Sequence, residues 1–222
     1  MLSMVKVKGI PFEENTFRDI YNEWMGKEKP KFPSDAIGTF NKYEILANKT
    51  IVLDFATNDI SCLEIGCANG QYVLGIKKAG LISKGKGIDV SSLMIDFAKA
   101  TAEEANMDIE FECTSLENFR TEEKYDIVAM FETLEHFVDH GQALTKVKDL
   151  LKPGGFFYGA VPENHTCDAE VHLNYYTMDS LHKLLLGYFK RITIIPIDLY
   201  EGVGNHFPEI HLIFRCQRSI DA

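Results

Sequence analysis

The sequence predicts an α/β fold: a doubly wound, mostly parallel sheet of seven strands, with a helical cap over residues 1–60 and the sheet domain over residues 61–222. Three observations carry that reading. From Ser61 onward, short apolar segments alternate with segments of helical period. The run Ile127, Val128, Ala129, Met130 is wholly apolar, as a strand covered on both faces must be. The first strand also ends in a glycine-containing turn that leads into a helix, the junction at which open α/β sheets of the Rossmann-like kind bind ligands.

The elements follow in order. Between Thr16 and Trp24, the residues Phe17, Ile20, Tyr21 and Trp24 have helical spacing. Gly26, Pro30 and Pro33 interrupt it, and a second helical stretch runs from Asp35 to Thr57. Cys62–Gly66 reads as the first strand of the sheet and Gly70–Ala79 as its helix. Gly85–Val90 is the second strand, and Ser91 or Ser92 caps a helix carrying Met94, Phe97 and Ala98. Ile109–Cys113 and Tyr125–Phe131 are the third and fourth strands. Asp139 with Gln142 forms a capping box for a helix striped by Leu144, Val147, Leu150 and Leu151, which Lys152-Pro153-Gly154-Gly155 stops. Phe156–Val161 is the fifth strand, Thr177–Phe189 a helix, and Ile192–Ile197 and Ile210–Cys216 two closing strands.

Composition narrows the function classes. Of 222 residues, 33 are acidic and 23 basic, a formal charge of −10 that disfavours a phosphate backbone as partner, so no nucleic acid is expected. The five cysteines are odd in number and form no CxxC pair, which fits neither a disulfide framework nor a thiolate zinc site. No secretory signal is evident, and no apolar run reaches the roughly 18 residues of a membrane span. A reducing cytoplasm is the expected location.

The chemistry starts at Leu63-Glu64-Ile65-Gly66-Cys67-Ala68-Asn69-Gly70. A small-residue turn there lets the backbone approach a ligand and aims helix N–H groups at it. Asp89, at the end of the next strand, is placed to accept hydrogen bonds from both hydroxyls of a ribose. A nicotinamide dinucleotide competes for this pattern, but its G-x-G-x-x-G loop is replaced here by Gly66, Ala68 and Gly70, with Glu64 just ahead. A carboxylate beside a diphosphate repels it, whereas beside a sulfonium and an ammonium it attracts. The charge pattern therefore favours S-adenosylmethionine.

At this point the chain resembles the class I methyltransferases. Leu63–Gly70 is similar to their first motif, with Ala68 in place of the commoner glycine, and Gly87-Ile88-Asp89-Val90-Ser91 to their acidic second-strand motif. Tyr125–Phe131 followed by Glu132-Thr133-Leu134-Glu135-His136 resembles the fourth-strand motif, and Leu151–Gly155 the motif before the fifth strand. The resemblance implies that Glu64, Gly66, Cys67, Ala68 and Gly70 line the methionine end of the cofactor, that Asp89 holds the ribose, and that Val90 and Met94 pack on adenine. Thr114, Ser115 and Leu116 fall at the adenine edge, where Thr114 replaces the usual Asp, and the backbone around Phe131 meets the methionine amino group. The product would be S-adenosylhomocysteine.

Within the superfamily, Cys113–Glu117 and Phe131–His136 look most like the ubiquinone-pathway O-methyltransferases and their relatives, some of which use a divalent metal. Glu132, Glu135 and His136 share a face if this stretch is helical, and two carboxylates with one imidazole suit such an ion. Lining of the acceptor pocket is the other reading of Glu132 and His136, and no metal is predicted. After the fifth strand, a polar loop leads to His172-Leu173-Asn174-Tyr175-Tyr176. His136 and His172 are the candidate bases for an acceptor hydroxyl. His206 and His211, near the closing strands, are given no catalytic role. The function expected is O-methylation of a small molecule. N- or C-methylation, a protein acceptor, or a catalytically silent cofactor-binding regulator remain alternatives, and the oligomeric state is open.

Overall fold

The structure is a computed structural model that describes residues 6–7, 10–11, 54–55, 59–164, 172–198 and 210–220. Of the two helical stretches expected at Thr16–Trp24, with Phe17 and Tyr21, and at Asp35–Thr57, only Asp54 and Phe55 are among the described residues, and Cys167 and His206 lie outside them too. A short antiparallel pair, β1 (Lys6–Val7) and β2 (Ile10–Pro11), stands at the start of the chain.

Among the described residues, seven strands form one sheet. They are β3 (Ser61–Ile65), β4 (Lys84–Asp89), β5 (Glu110–Cys113), β6 (Tyr125–Phe131), β7 (Leu151–Pro162), β8 (Lys190–Asp198) and β9 (Ile210–Gln217). Their order is β5-β4-β3-β6-β7-β9-β8. The first five pair in parallel, while β9 runs antiparallel to both neighbours. The sheet is therefore mixed, where sequence reading gave it as mostly parallel without locating a reversal. The physical reason is the long connection between β8 and β9, whose composition says nothing about the direction in which the last strand returns.

Helices α1 (Gln71–Lys78) and α2 (Ser92–Glu104) follow β3 and β4. Helices α3 (His140–Leu150) and α4 (Met178–Leu186) flank β7 in the chain. Strand alternation divides the core between the faces. Leu63, Ile65, Val128, Met130, Phe157, Leu212 and Phe214 pack with Leu144, Val147, Leu181 and Leu185 of α3 and α4. Cys62, Ile127, Ala129, Tyr158 and Ile213 pack with Val73, Ile76, Ile95 and Ala98 of α1 and α2. Both faces are covered, which is why the β6 run carries no polar alternation.

The helix starts follow their caps. Ser91 Oγ accepts from Met94 N at 3.3 Å. Asp139 Oδ1 accepts from Gln142 N at 2.9 Å, while the Gln142 side chain donates to the other Asp139 oxygen rather than reaching the backbone, so the expected capping box is half made. Thr177 and Ser180 form a reciprocal box instead, with Ser180 N donating to Thr177 Oγ1 and Thr177 N to Ser180 Oγ. Helix α3 ends one residue early, and β7 takes up the chain from Leu151. Ahead of the sheet, Asp54 is bound by Arg215 and by the Tyr158 hydroxyl, so the segment before β3 is tied to β7 and β9. Among the described residues, no helix is long and apolar enough to cross a membrane.

Candidate functional site

The carboxyl ends of β3, β4, β5 and β6 meet along one edge, and the sequence-predicted cofactor residues other than Met94, which lies in the first turn of α2, fall there or in the turns just beyond. After β3, the chain turns through left-handed backbone at Gly66 (φ 69°), Ala68 (φ 45°) and Gly70 (φ 74°) before α1 begins. Ala68 is thus the strained member of a turn that favours glycine. Glu64 is buried and accepts from Val73 N at 3.1 Å, so its carboxylate anchors the first turn of α1 against β3. Cys67 is also buried, and burial, then the charges of Glu64 and Asp89, push its thiol up.

Asp89 holds the edge together. One oxygen accepts from Ala68 N and the other from Ser91 N, both at 2.8 Å, so it joins the turn after β3 to the turn after β4. Burial raises its carboxyl above the usual range and outweighs the Ser91, Ala68 and Val90 amides, which favour the charged form. A carboxylate oxygen carries more than one acceptor site, so neither bond excludes a hydroxyl. Thr114 N donates to Asp89 O at 2.9 Å. Ser115 is buried and its Oγ accepts from Asn118 N at 3.3 Å, while Leu116 joins the core. Val90 is half-buried beside them, with its carbonyl 3.6 Å from Cys113 Sγ. Met94 is fully buried at the foot of α2. Phe131 closes β6 edge-on to Tyr72, ring centroids 4.5 Å apart.

The second cluster forms beyond β6. Glu132 is left-handed (φ 49°), and a single 3₁₀ turn covers Leu134–His136. The segment at 172–176 is stitched onto this turn. Leu173 N and Asn174 N both donate to Glu135 O, at 2.9 and 3.0 Å, and Asn174 Nδ2 donates to Phe137 O at 2.6 Å. Tyr176 Oη lies 3.2 Å from His140 Nδ1.

That stitching brings Glu135, His136 and His172 together, with one ligand atom from each lying within 4.8 Å of the others. Ring centroids of the two histidines are 5.1 Å apart. Glu135 is 1% exposed, and neither carboxylate oxygen has a hydrogen-bond partner among the described residues. Burial, then the Glu132 charge, drives its carboxyl well above the usual range, against the weaker pull of the Glu135 and Thr133 amides.

The grouping expected from helical spacing was Glu132, Glu135 and His136. The 3₁₀ turn carries Glu132 out of it, and His172 comes in. Glu132 instead meets His211, with Nδ1 at 2.7 Å from Oε1, and His211 is buried. Sequence reading missed His211, Asn174 and His140 at this edge. A buried histidine opening a closing strand was the one signal for His211, legible only once the direction of that strand is known.

Comparison with known proteins agrees with this geometry. Residues 62–155 match the family described as a methyltransferase domain. A ubiquinone biosynthesis O-methyltransferase of Coxiella burnetii is 32% identical over 153 residues, covering 67% of this chain and 61% of that protein. The Nitrobacter winogradskyi protein of the same name is 36% identical over 93 residues, 42% of this chain and 35% of that one. The chain thus spans between about a third and three-fifths of the length of these curated relatives. Among solved structures, the N-methyltransferase NodS of Bradyrhizobium japonicum, in complex with S-adenosylhomocysteine, superposes with a TM-score of 0.66 at 20% identity, over 89% of this chain and 97% of that one. At that identity the likeness is one of fold.

Proposed function

The chain belongs to the class I S-adenosylmethionine-dependent methyltransferase superfamily, its residues 62–155 matching the methyltransferase domain, and from that premise we propose that it transfers the cofactor methyl group to an oxygen of a small-molecule acceptor. The observation that carries the reading is the joining of the two turns by Asp89, with Ala68 N and Ser91 N on its two oxygens. That arrangement supports Asp89 as the carboxylate for a ribose, beside a glycine turn for the methionine end. Gly66, Cys67 and Gly70 line that end, with Glu64 supplying negative charge behind it, and Phe131 offers its backbone to the amino group. Val90, Met94, Thr114, Ser115 and Leu116 surround the adenine.

Methyl transfer is an in-line displacement at the sulfonium carbon. The departing thioether needs no proton, so alignment and exclusion of water supply much of the acceleration. An acceptor hydroxyl does need to lose its proton, and His136 and His172 are the side chains to take it. The O-methyltransferase names of the curated relatives favour oxygen over nitrogen. The N-terminal residues are read as a cap on a sheet domain that starts at residue 61.

A second reading of the same cluster is favoured by Glu135. A buried carboxylate whose oxygens lack hydrogen-bond partners among the described residues, with His136 Nε2 3.8 Å from Oε1 and two imidazoles within 4.8 Å, is a donor set that fits a divalent cation. Glu135, His136 and His172 would hold it, and when bound it would supply a Lewis acid for the acceptor oxygen.

Calorimetry tests the central claim: S-adenosylhomocysteine should bind and NAD should not. A folded sample that fails to bind S-adenosylhomocysteine would overturn it. A panel of phenolic, sugar, amine and peptide acceptors with methyl-labelled cofactor then identifies the acceptor class.

A further inference from the structure

The reversal of β9 has a consequence for the site. In a parallel strand, Ile210 and His211 would lie at the amino edge of the sheet, far from the cofactor turns. Because β9 runs antiparallel to β7, His211 pairs with Pro162, the last residue of β7, at the carboxyl edge. From there its ring reaches past β7 to the turn beyond β6, where Nδ1 stands 2.7 Å from Glu132 Oε1. His211 is 2% exposed, while the Glu132 side chain keeps 28% of its surface open. The pair is thus an enclosed imidazole behind a partly open carboxylate. Glu132 is held from the backbone too, by its left-handed φ of 49° and by its N–H on Ala160 O at 2.9 Å.

We propose that His211 is a positioning residue for the transfer reaction, fixing the Glu132 carboxylate on the acceptor side of the cofactor. This rests on the methyltransferase reading above. The carboxylate accepts, so the Nδ1 nitrogen carries the proton. A donor from β9 holds Glu132 in one rotamer, so that the acceptor side meets a preformed carboxylate. Thr133, next along, turns instead toward Gly66, so this turn faces the cofactor with one residue and the acceptor with the one before it.

Two measurements test the pair. In histidine-labelled protein, long-range proton–nitrogen NMR should show His211 protonated at Nδ1, with that proton shifting in Glu132→Gln. Protonation at Nε2, or a signal indifferent to Glu132→Gln, overturns the proposal. The second uses 3,4-dihydroxybenzoate as the acceptor probe, with S-adenosylhomocysteine affinity measured in parallel. His211→Phe should lower kcat by roughly ten-fold or more, with KM for the probe and S-adenosylhomocysteine affinity each within about three-fold of wild type. His211→Asn, whose Nδ2 falls near the former Nδ1, should recover most of the loss. Unchanged kcat in His211→Phe overturns the proposal, as does a folded His211→Asn no better than Phe. If wild type binds S-adenosylhomocysteine but leaves the probe unmethylated, the NMR result decides. Failure of wild type to bind S-adenosylhomocysteine sinks the methyltransferase reading and leaves the NMR test of the pair intact.

Discussion

Thr133 occupies the space that a side chain at Gly66 would need: a Cβ there would lie 2.4 Å from Thr133 Oγ1 and 2.5 Å from its methyl. The turn after β6 and the turn after β3 therefore touch through a residue that has to be glycine, for contact as well as for φ. Gly66→Ala should cost more than about 2 kcal/mol, the left-handed penalty of about 1–2 kcal/mol plus the displacement of Thr133. Gly80 is the control, since it has φ 70° and nothing within 4 Å of its would-be Cβ. Gly80→Ala should cost only about 1 kcal/mol and leave S-adenosylhomocysteine binding alone. Urea unfolding and calorimetry on the two variants separate the effects, and equal losses would show that the Thr133 contact contributes nothing.

Asp89→Ala removes the acceptor for two backbone amides as well as the carboxylate proposed to hold the ribose. S-adenosylhomocysteine affinity should fall roughly ten-fold or more, the scale of a lost charged hydrogen bond. Asp89→Asn keeps one acceptor oxygen and should lose less. Isothermal titration reads both, and full affinity in Asp89→Ala would remove Asp89 from the site.

His136→Ala and His172→Ala should each lower kcat by roughly a hundred-fold, as loss of a general base does, while cofactor affinity stays unchanged. Full turnover in both variants would take proton removal away from this cluster.

Glu135 separates the two readings of that cluster. If a cation is used, exhaustive chelation should lower turnover, and magnesium or manganese should restore it. Undiminished turnover after chelation counts against the ion. In chelated protein, Glu135→Gln should raise the unfolding midpoint near neutral pH. The folded state holds a proton that the unfolded chain gives up once pH passes about 4.3, so the native Glu135 loses stability as pH rises from there toward its raised folded value. A midpoint that falls in Glu135→Gln would contradict this.

Asp126 gives the opposite sign. Burial works against its charge, but Lys152 Nζ and the amide and hydroxyl of Ser61, all at 2.8 Å, outweigh that and hold the carboxyl below the usual range. A lowered folded value means that the contribution is fully present above about 4 and is lost as pH falls through the folded value. The wild-type unfolding midpoint should therefore drop more steeply between pH 5 and about 3 than that of Asp126→Asn. Parallel pH profiles would show that the Ser61 and Lys152 bonds do not stabilise the fold.

What the sequence revealed and what it hid divide by range. The strand limits at Tyr125–Phe131, the Ser91 and Asp139 caps, and the gathering of Gly66, Gly70 and Asp89 at one edge were legible, because each rests on spacing within a few tens of residues. The hidden part depends on pairings across the sheet. His172 reaches Glu135 and His136 through Asn174 and Leu173, hydrogen bonds that leave no periodic trace. Helical spacing put Glu132 in that group, and the 3₁₀ turn took it out. The reversal of β9 was illegible for the same reason, and His211 went with it.

That reversal also orders events in time. β9 is the last strand in the chain but sits between β7 and β8 in the sheet. A nascent chain that has emerged only through β8 carries every cofactor motif, yet β8 has no neighbour to pair with and β7 has an open edge. The sheet closes when residues 210–217 insert into that gap, the long-range contact that folding reaches slowest. The turns proposed to bind the cofactor thus form before the proposed acceptor side is assembled, and the same insertion delivers His211 to Glu132.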